Sequence, residues 1–217
     1  MLDLTNPRTR KAHTQREALQ AVINDQGSRL GALAADITKF GLNPADRLLV
    51  MRVRNPDGYV ALEGNRRVAS LQILQNPAVL ADLDLSPSLR KKLTETASRF
   101  DRKTVEPIAA VDMGDRPSAR HWIEMRHTGQ GNGEGIVGWS GVAAARFRGN
   151  SASLQAIELV KRFGDLNDKE RQHLDDKISI SVIDRVMGSK ALKDAFGIHT
   201  TSGRLYTEQP PLGGPGC

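Results

Sequence analysis

The stretch YVALEGNRRVASLQIL, residues 59–74, leaves this chain little choice of local structure. Tyr59, Val60, Ala61 and Leu62 are apolar and β-prone, so the stretch opens as a strand. Gly64 tolerates backbone angles that other residues avoid, and the chain can turn sharply there. Asn65 is a preferred N-cap, and Val68, Leu71, Ile73 and Leu74 give the following helix an apolar side until Asn76-Pro77 stops it. The corner also gathers positive character. The unpaired N–H groups of a first helical turn, the positive end of the helix dipole and the guanidinium groups of Arg66 and Arg67 meet at one place. A phosphate group fits such a place; the alternative is a pair of arginines that are solvated or paired with acids.

The flanking sequence supplies elements for the corner to join. Thr14 with Glu17 makes a capping box for a helix through about Asn24, broken by Gly27. Leu30, Leu33, Ala34 and Ile37 fall at helical spacing, and Gly41 ends that helix. Residues 48–53 are β-rich, and Asn55-Pro56-Asp57-Gly58 turns them into the strand from Tyr59, which predicts a hairpin. Ser86-Pro87 opens a helix with Leu89, Leu93, Ala97 and Phe100 inward. Residues 105–111 predict a third strand, with Pro107 confining it to an edge or an end. Residues 115–128 predict a helix, and the Gly-rich run 129–138 then marks a domain boundary. From Trp139 the pattern is helical, over 139–147, 152–163, 168–174, 182–187 and 191–196. The Pro/Gly-rich tail 207–217 reads as flexible linker.

Two boxes now stand out: Gly64-Asn65-Arg66-Arg67 with the preceding Gly41-Leu42-Asn43-Pro44, and Ile123-Glu124-Met125-Arg126-His127-Thr128. On these residues the chain resembles the ParB/sulfiredoxin superfamily, whose Gly-Glu-Arg-Arg box binds a nucleotide triphosphate and whose second phosphate motif follows the third strand. Asn65 stands where ParB proteins have Glu and sulfiredoxin has its reactive Cys, which excludes sulfiredoxin chemistry because a carboxamide is no thiolate. Met125 departs from the second motif. The resemblance implies an α+β fold: a small mixed-sheet ParB/sulfiredoxin-like nucleotide-binding domain over residues 1–128, the Gly-rich loop 129–138, an all-helical domain over 139–206 and a flexible tail. It implies that Glu63, Gly64, Asn65, Arg66, Arg67, Arg126, His127 and Thr128 hold phosphates, that Gly41, Asn43 and Pro44 line base or ribose, and that Glu124 sits near Mg²⁺ bound with CTP or ATP. A homodimeric, nucleotide-dependent clamp or regulator of DNA in a partition, mobile-element or phage-defence setting follows as the expectation, with slow NTPase activity.

Other function classes are narrowed by what the sequence holds. The net charge of +6 favours a polyanionic partner, while 4% aromatic content disfavours a base-stacking platform for single strands. The single Cys, Cys217, forms no internal disulfide, and with no membrane-length apolar run the expectation is a cytoplasmic protein. Gly133 to Gly138 fits G-x-G-x-x-G but lacks the strand before it, so a dinucleotide fold is rejected, as is a P-loop. The five histidines show no metal-ligand spacing. Residues 166–174 and 178–187 have helix-turn-helix spacing, with Ser179, Ser181 and Arg185 as DNA contacts, although the segment's many aspartates also suit a helical scaffold or dimerisation element. Two alternatives stay open: a phosphotransferase, NTPase or nuclease using Glu63, Glu124 or Asp57 as base, and a nucleotide-free DNA-binding adaptor.

Overall fold

The computed structural model describes residues 1–127, 134–149, 152–176, 178–201 and 204–207, and divides into two compact units, Met1–Gly135 and Ile136–Cys217. In the first unit, helices α1 (Gln15–Gln26) and α2 (Ser28–Phe40) meet at Gly27, whose positive φ of 50° and N–H bond to Ile23 O close α1. Thr14 caps α1 by accepting from Glu17 N at 3.1 Å. The Glu17 carboxylate reaches back to His13 N rather than to Thr14, one residue earlier than a reciprocal capping box places it. Gly41, at φ 78°, ends α2 as its sequence position predicts.

Strands β1 (Leu48–Arg54) and β2 (Asp57–Glu63) form the expected antiparallel hairpin, with Met51 opposite Val60 and Val53 opposite Gly58. The turn is tighter than anticipated, because β2 begins at Asp57 instead of Tyr59 and only Asn55 and Pro56 remain outside the strands. Helix α3 (Asn65–Gln75) follows Gly64, and α4 (Pro87–Ala97) starts where Ser86 Oγ accepts from Leu89 N at 3.3 Å. The third strand is shorter than its sequence suggested: β3 spans only Ala110–Asp112 and pairs parallel to β1, giving the order β2-β1-β3. Pro107 cannot donate to a ladder and stays in the irregular stretch before it. Helix α5 (Arg116–His127) completes the unit.

The core of this unit lies among the first four helices. Leu30, Ala34 and Ile37 from α2 pack with Ile73 and Leu74 from α3 and Leu93 from α4, all at most 3% exposed. Leu33, Leu89 and Phe100 cover that core from its edge. The helical spacing in α2 and α4 thus points inward as predicted. The sheet contributes Leu48, Val50, Ala61 and Leu62, which are buried as well.

In the second unit, helices α6 (Gly141–Arg148), α7 (Ala152–Phe163), α8 (Asp168–Asp176) and α9 (Ile180–Gly188) surround Val142, Ala145, Ile157 and Ile180. Ser140 caps α6, leaving Trp139 ahead of the helix rather than at its start. Helix α10 (Lys190–Ala195) leads into strands β4 (Ile198–Thr201) and β5 (Arg204–Thr207), paired antiparallel. The all-helical expectation for residues 139–206 is therefore corrected: this unit ends in a β-hairpin, and Thr207 belongs to β5 rather than to a tail. Residue 128, residues 129–133 of the Gly-rich run and residues 208–217 lie outside the described residues. The fold is mixed α+β with ten helices and a small three-stranded sheet among the described residues. No described helix is long and apolar enough to cross a membrane.

Candidate functional site

The strand-to-helix corner is built around a glycine that nothing else can replace without strain. Gly64 adopts a left-handed conformation at φ 97°, and a Cβ there would lie 2.2 Å from Leu48 Cδ2 and 3.0 Å from Arg67 Nη2. The first helical N–H to bond back is that of Val68, to Gly64 O, so the amides of Asn65, Arg66 and Arg67 precede the ladder. Asn65 is not the cap it was expected to be. Gly64 holds the N-cap position, and the Asn65 side chain is buried, donating from Nδ2 to Ala61 O at 2.9 Å and accepting from Asp3 N at 2.8 Å.

That second bond ties the N-terminal segment to the corner. The Asp3 carboxylate accepts two hydrogen bonds from Arg116, at 2.7 and 2.8 Å, and one each from Thr5 N and Thr5 Oγ1. Burial alone would raise the Asp3 carboxyl, but the hydrogen bonds from Arg116 and Thr5 and the Arg116 charge outweigh it and hold it below the ordinary carboxylate range. The same bond holds the Arg116 guanidinium above its ordinary value. Arg116 opens α5, so Asp3 fixes the start of that helix against the start of α3.

Between these elements lies a cleft of about 1340 Å³. Its lining brings together Gly41, Asn43, Glu63, Gly64, Asn65, Arg66 and Arg67 with Glu124, Arg126 and His127, so both boxes of the sequence face one space. Pro44 does not line it, and Thr128 lies outside the described residues. Among the α5 residues that reach it, Arg116, Arg120, Ile123, Glu124 and His127 recur at helical spacing as one stripe, with Pro117 and Arg126 beside it.

Within the cleft, two arginines and two carboxylates close on each other. Buried Arg67 donates from Nη1 to the Asp46 main-chain oxygen, stands 3.3 Å from Asp46 Oδ2 and places Nη2 3.8 Å from Glu63 Oε1. Arg126 meets the same two acids, at 2.8 Å from Asp46 Oδ1 and 3.7 Å from Glu63 Oε1. Its Nη1 is buried and makes no hydrogen bond. Burial pulls the Arg67 guanidinium below its ordinary value, against the opposing pull of Asp46 and Glu63. Glu63 Oε2 is also 2.9 Å from His127 Nε2. Arg8 Nη2 lies 3.4 Å from His127 Nδ1, and since a guanidinium only donates, the tautomer that suits both neighbours accepts at Nδ1 and donates from Nε2 to Glu63. Arg66, by contrast, is exposed and donates to the neutral Gln26 Oε1 at 3.1 Å.

Sequence reasoning missed Asp46, Arg8, Gln26, Arg116 and Arg120. Asp46 follows Pro44 by two positions, a proximity that signals nothing by itself, and Arg8 reaches His127 across 119 positions of chain. The proposed metal residue, Glu124, lies on the cleft, and among the described residues no group of three or more His, Cys, Asp or Glu gathers as a metal cage. In the second unit Ser179, Ser181 and Arg185 are all exposed at and along α9, with Ser179 Oγ 2.9 Å from Ser181 Oγ. Arg146 and Lys161 are both engaged by Asp175. Compared with protein-family models, curated proteins and solved structures, the chain matches none.

Proposed function

We propose that Met1–Gly135 binds a nucleoside triphosphate, CTP or ATP, with Mg²⁺ in the cleft between α3 and α5, and that the chain acts as a nucleotide-responsive, DNA-associated factor of the ParB kind. The observation that supports this reading is the convergence of the two sequence boxes, with six arginines, on one cleft large enough for a nucleotide. A linear triphosphate carries charge enough to engage several guanidinium groups at once, and planar guanidinium groups suit phosphate oxygens. Glu124 offers a carboxylate oxygen of the kind Mg²⁺ takes alongside substrate phosphates, so the residues present fit such an ion without a protein cage. The ion would neutralise phosphate charge next to a lining that also carries acids.

Calorimetric titration of the full chain with CTP, ATP, GTP and UTP in Mg²⁺ tests this directly. Binding of at least one with a dissociation constant below about 1 mM is expected, and no binding by any of the four overturns the reading. The DNA association is supported by the exposed Ser179, Ser181 and Arg185 on α9 and by the net charge of +6. Duplex DNA retention that falls steeply with salt and changes on adding nucleotide is the expected result, and salt-dependent retention indifferent to nucleotide favours a plain adaptor instead.

One observation favours a catalytic variant of the same reading. Glu63 orients the His127 ring through a 2.9 Å contact, and an Arg8 drawn from Nδ1 to a bound phosphate would leave that nitrogen able to take a proton. Metal-dependent nucleotide turnover in the absence of DNA, abolished in Glu63→Gln with nucleotide binding retained, identifies an enzyme. A chain that binds nucleotide without turning it over is a switch.

A further inference from the structure

Arg116 is held by Asp3, and the other five arginines of the cleft fall into two sets by what holds them. Arg67 and Arg126 face Asp46 and Glu63 at 2.8 to 3.8 Å, two positive groups against two negative ones. The Arg67 side chain is 10% exposed, and its Nη1 is committed to the Asp46 main-chain oxygen as well. A phosphate that approached Arg67 would have to displace a carboxylate from a nearly dry site and then share that site with the displaced charge. Arg8, Arg66 and Arg120 differ: all are exposed, line the same cleft and have no carboxylate partner among the described residues. Two are steadied by groups that carry no negative charge, Arg66 by the Gln26 amide oxygen at 3.1 Å and Arg8 by His127 Nδ1 at 3.4 Å. Such contacts orient a guanidinium without cancelling its charge.

We propose that Arg8, Arg66 and Arg120 are the polyphosphate-gripping residues of the cleft, while Arg67 and Arg126 form with Asp46 and Glu63 a self-neutralised wall that positions the corner. This rests on reading the cleft as a triphosphate site, and it assigns the two adjacent arginines of the corner opposite jobs. The three gripping cations come from three separate elements: the N-terminal segment anchored through Asp3, the first turn of α3 and the middle of α5. Cations spread in this way suit an extended chain of phosphates better than a single one. Two acids that also line the cleft, Asp25 and Asp36, disfavour further anionic groups along those parts of the wall.

The test titrates the full chain with inorganic tripolyphosphate, with orthophosphate and with the nucleotide that binds wild type, and follows the melting temperature of each variant. Arg8→Gln, Arg66→Gln and Arg120→Gln should each weaken tripolyphosphate and nucleotide binding about tenfold or more at an unchanged melting temperature. Arg67→Lys keeps a charge between Asp46 and Glu63, and is expected to lower the melting temperature while leaving affinity within about threefold. Orthophosphate should bind far more weakly than tripolyphosphate. Arg67→Lys losing tenfold or more in affinity without a change in melting, or the three glutamine variants binding like wild type, overturns the division of roles and leaves the triphosphate reading standing. A wild-type chain that binds neither nucleotide nor tripolyphosphate overturns both.

Discussion

Replacing Gly64 with alanine should damage the first unit far more than one added methyl suggests. The residue sits at φ 97°, where an L side chain costs about 1–2 kcal/mol. The new Cβ would also stand 2.2 Å from Leu48 Cδ2, a side chain only 5% exposed in β1, and overpacking of that kind costs about 1–3 kcal/mol. The total is about 2–5 kcal/mol, which for a unit of this size is a drop of about 6–15 °C in melting temperature. Because the same Cβ falls 3.0 Å from Arg67 Nη2, the guanidinium that faces Asp46 and Glu63 is pushed as well. Differential scanning calorimetry of Gly64→Ala beside Gly114→Ala separates the two contributions. Gly114 also has a positive φ, 73°, but a Cβ there meets nothing within 4 Å, so it should show only the conformational cost of about 1–2 kcal/mol. Equal losses in the two variants would refute the claim that the corner is tightly packed against β1.

Leu93 is fully buried where α4 meets α2 and α3, so Leu93→Ala should cost about 2–5 kcal/mol by chemical denaturation, and a loss under about 1 kcal/mol would show that the helical core is looser than drawn. Asp3→Asn removes a charged partner from Arg116 at a carboxylate whose side chain is 2% exposed, and should cost about 2 kcal/mol at neutral pH. Since the folded Asp3 carboxyl is held down, its contribution is complete above the unfolded value of about 3.9 and fades as pH falls through the lower folded value. The stability gap between wild type and Asp3→Asn should therefore be constant from neutral pH down to about 4 and narrow below it; a gap that widens on acidification contradicts the Asp3–Arg116 assignment.

What could be read from the sequence was mostly local. Gly27 and Gly41 end helices, Ser86 caps one, and the spacing of Leu30, Ala34 and Ile37 points inward, because each depends on residues within a turn or two. The gathering of Arg66, Glu124, Arg126 and His127 into one cleft was expected from the family resemblance, which pairs the two boxes, and not from the spacing of the residues themselves. Asn65 shows where local reasoning fails: its preference for capping lost to a buried contact with Asp3, 62 positions away. Asp46 escaped notice for the same reason, since nothing near it in sequence announces Arg67 and Arg126 as its partners. The hairpin of β4 and β5 was overlooked because four-residue strands carry too little alternation to interrupt a helical pattern.

The central claim is that the cleft beside Gly64 takes a nucleoside triphosphate, and a thermal-shift screen of the full chain with CTP, ATP, GTP and UTP in Mg²⁺ tests it most directly. At one hundred times its dissociation constant a bound nucleotide should stabilise the first unit by about 2.7 kcal/mol, seen as a melting temperature several degrees higher, and Arg66→Gln, binding about tenfold more weakly, should show about half that rise or less at the same nucleotide concentration. Melting temperatures that stay unchanged with all four nucleotides at millimolar concentration would contradict it.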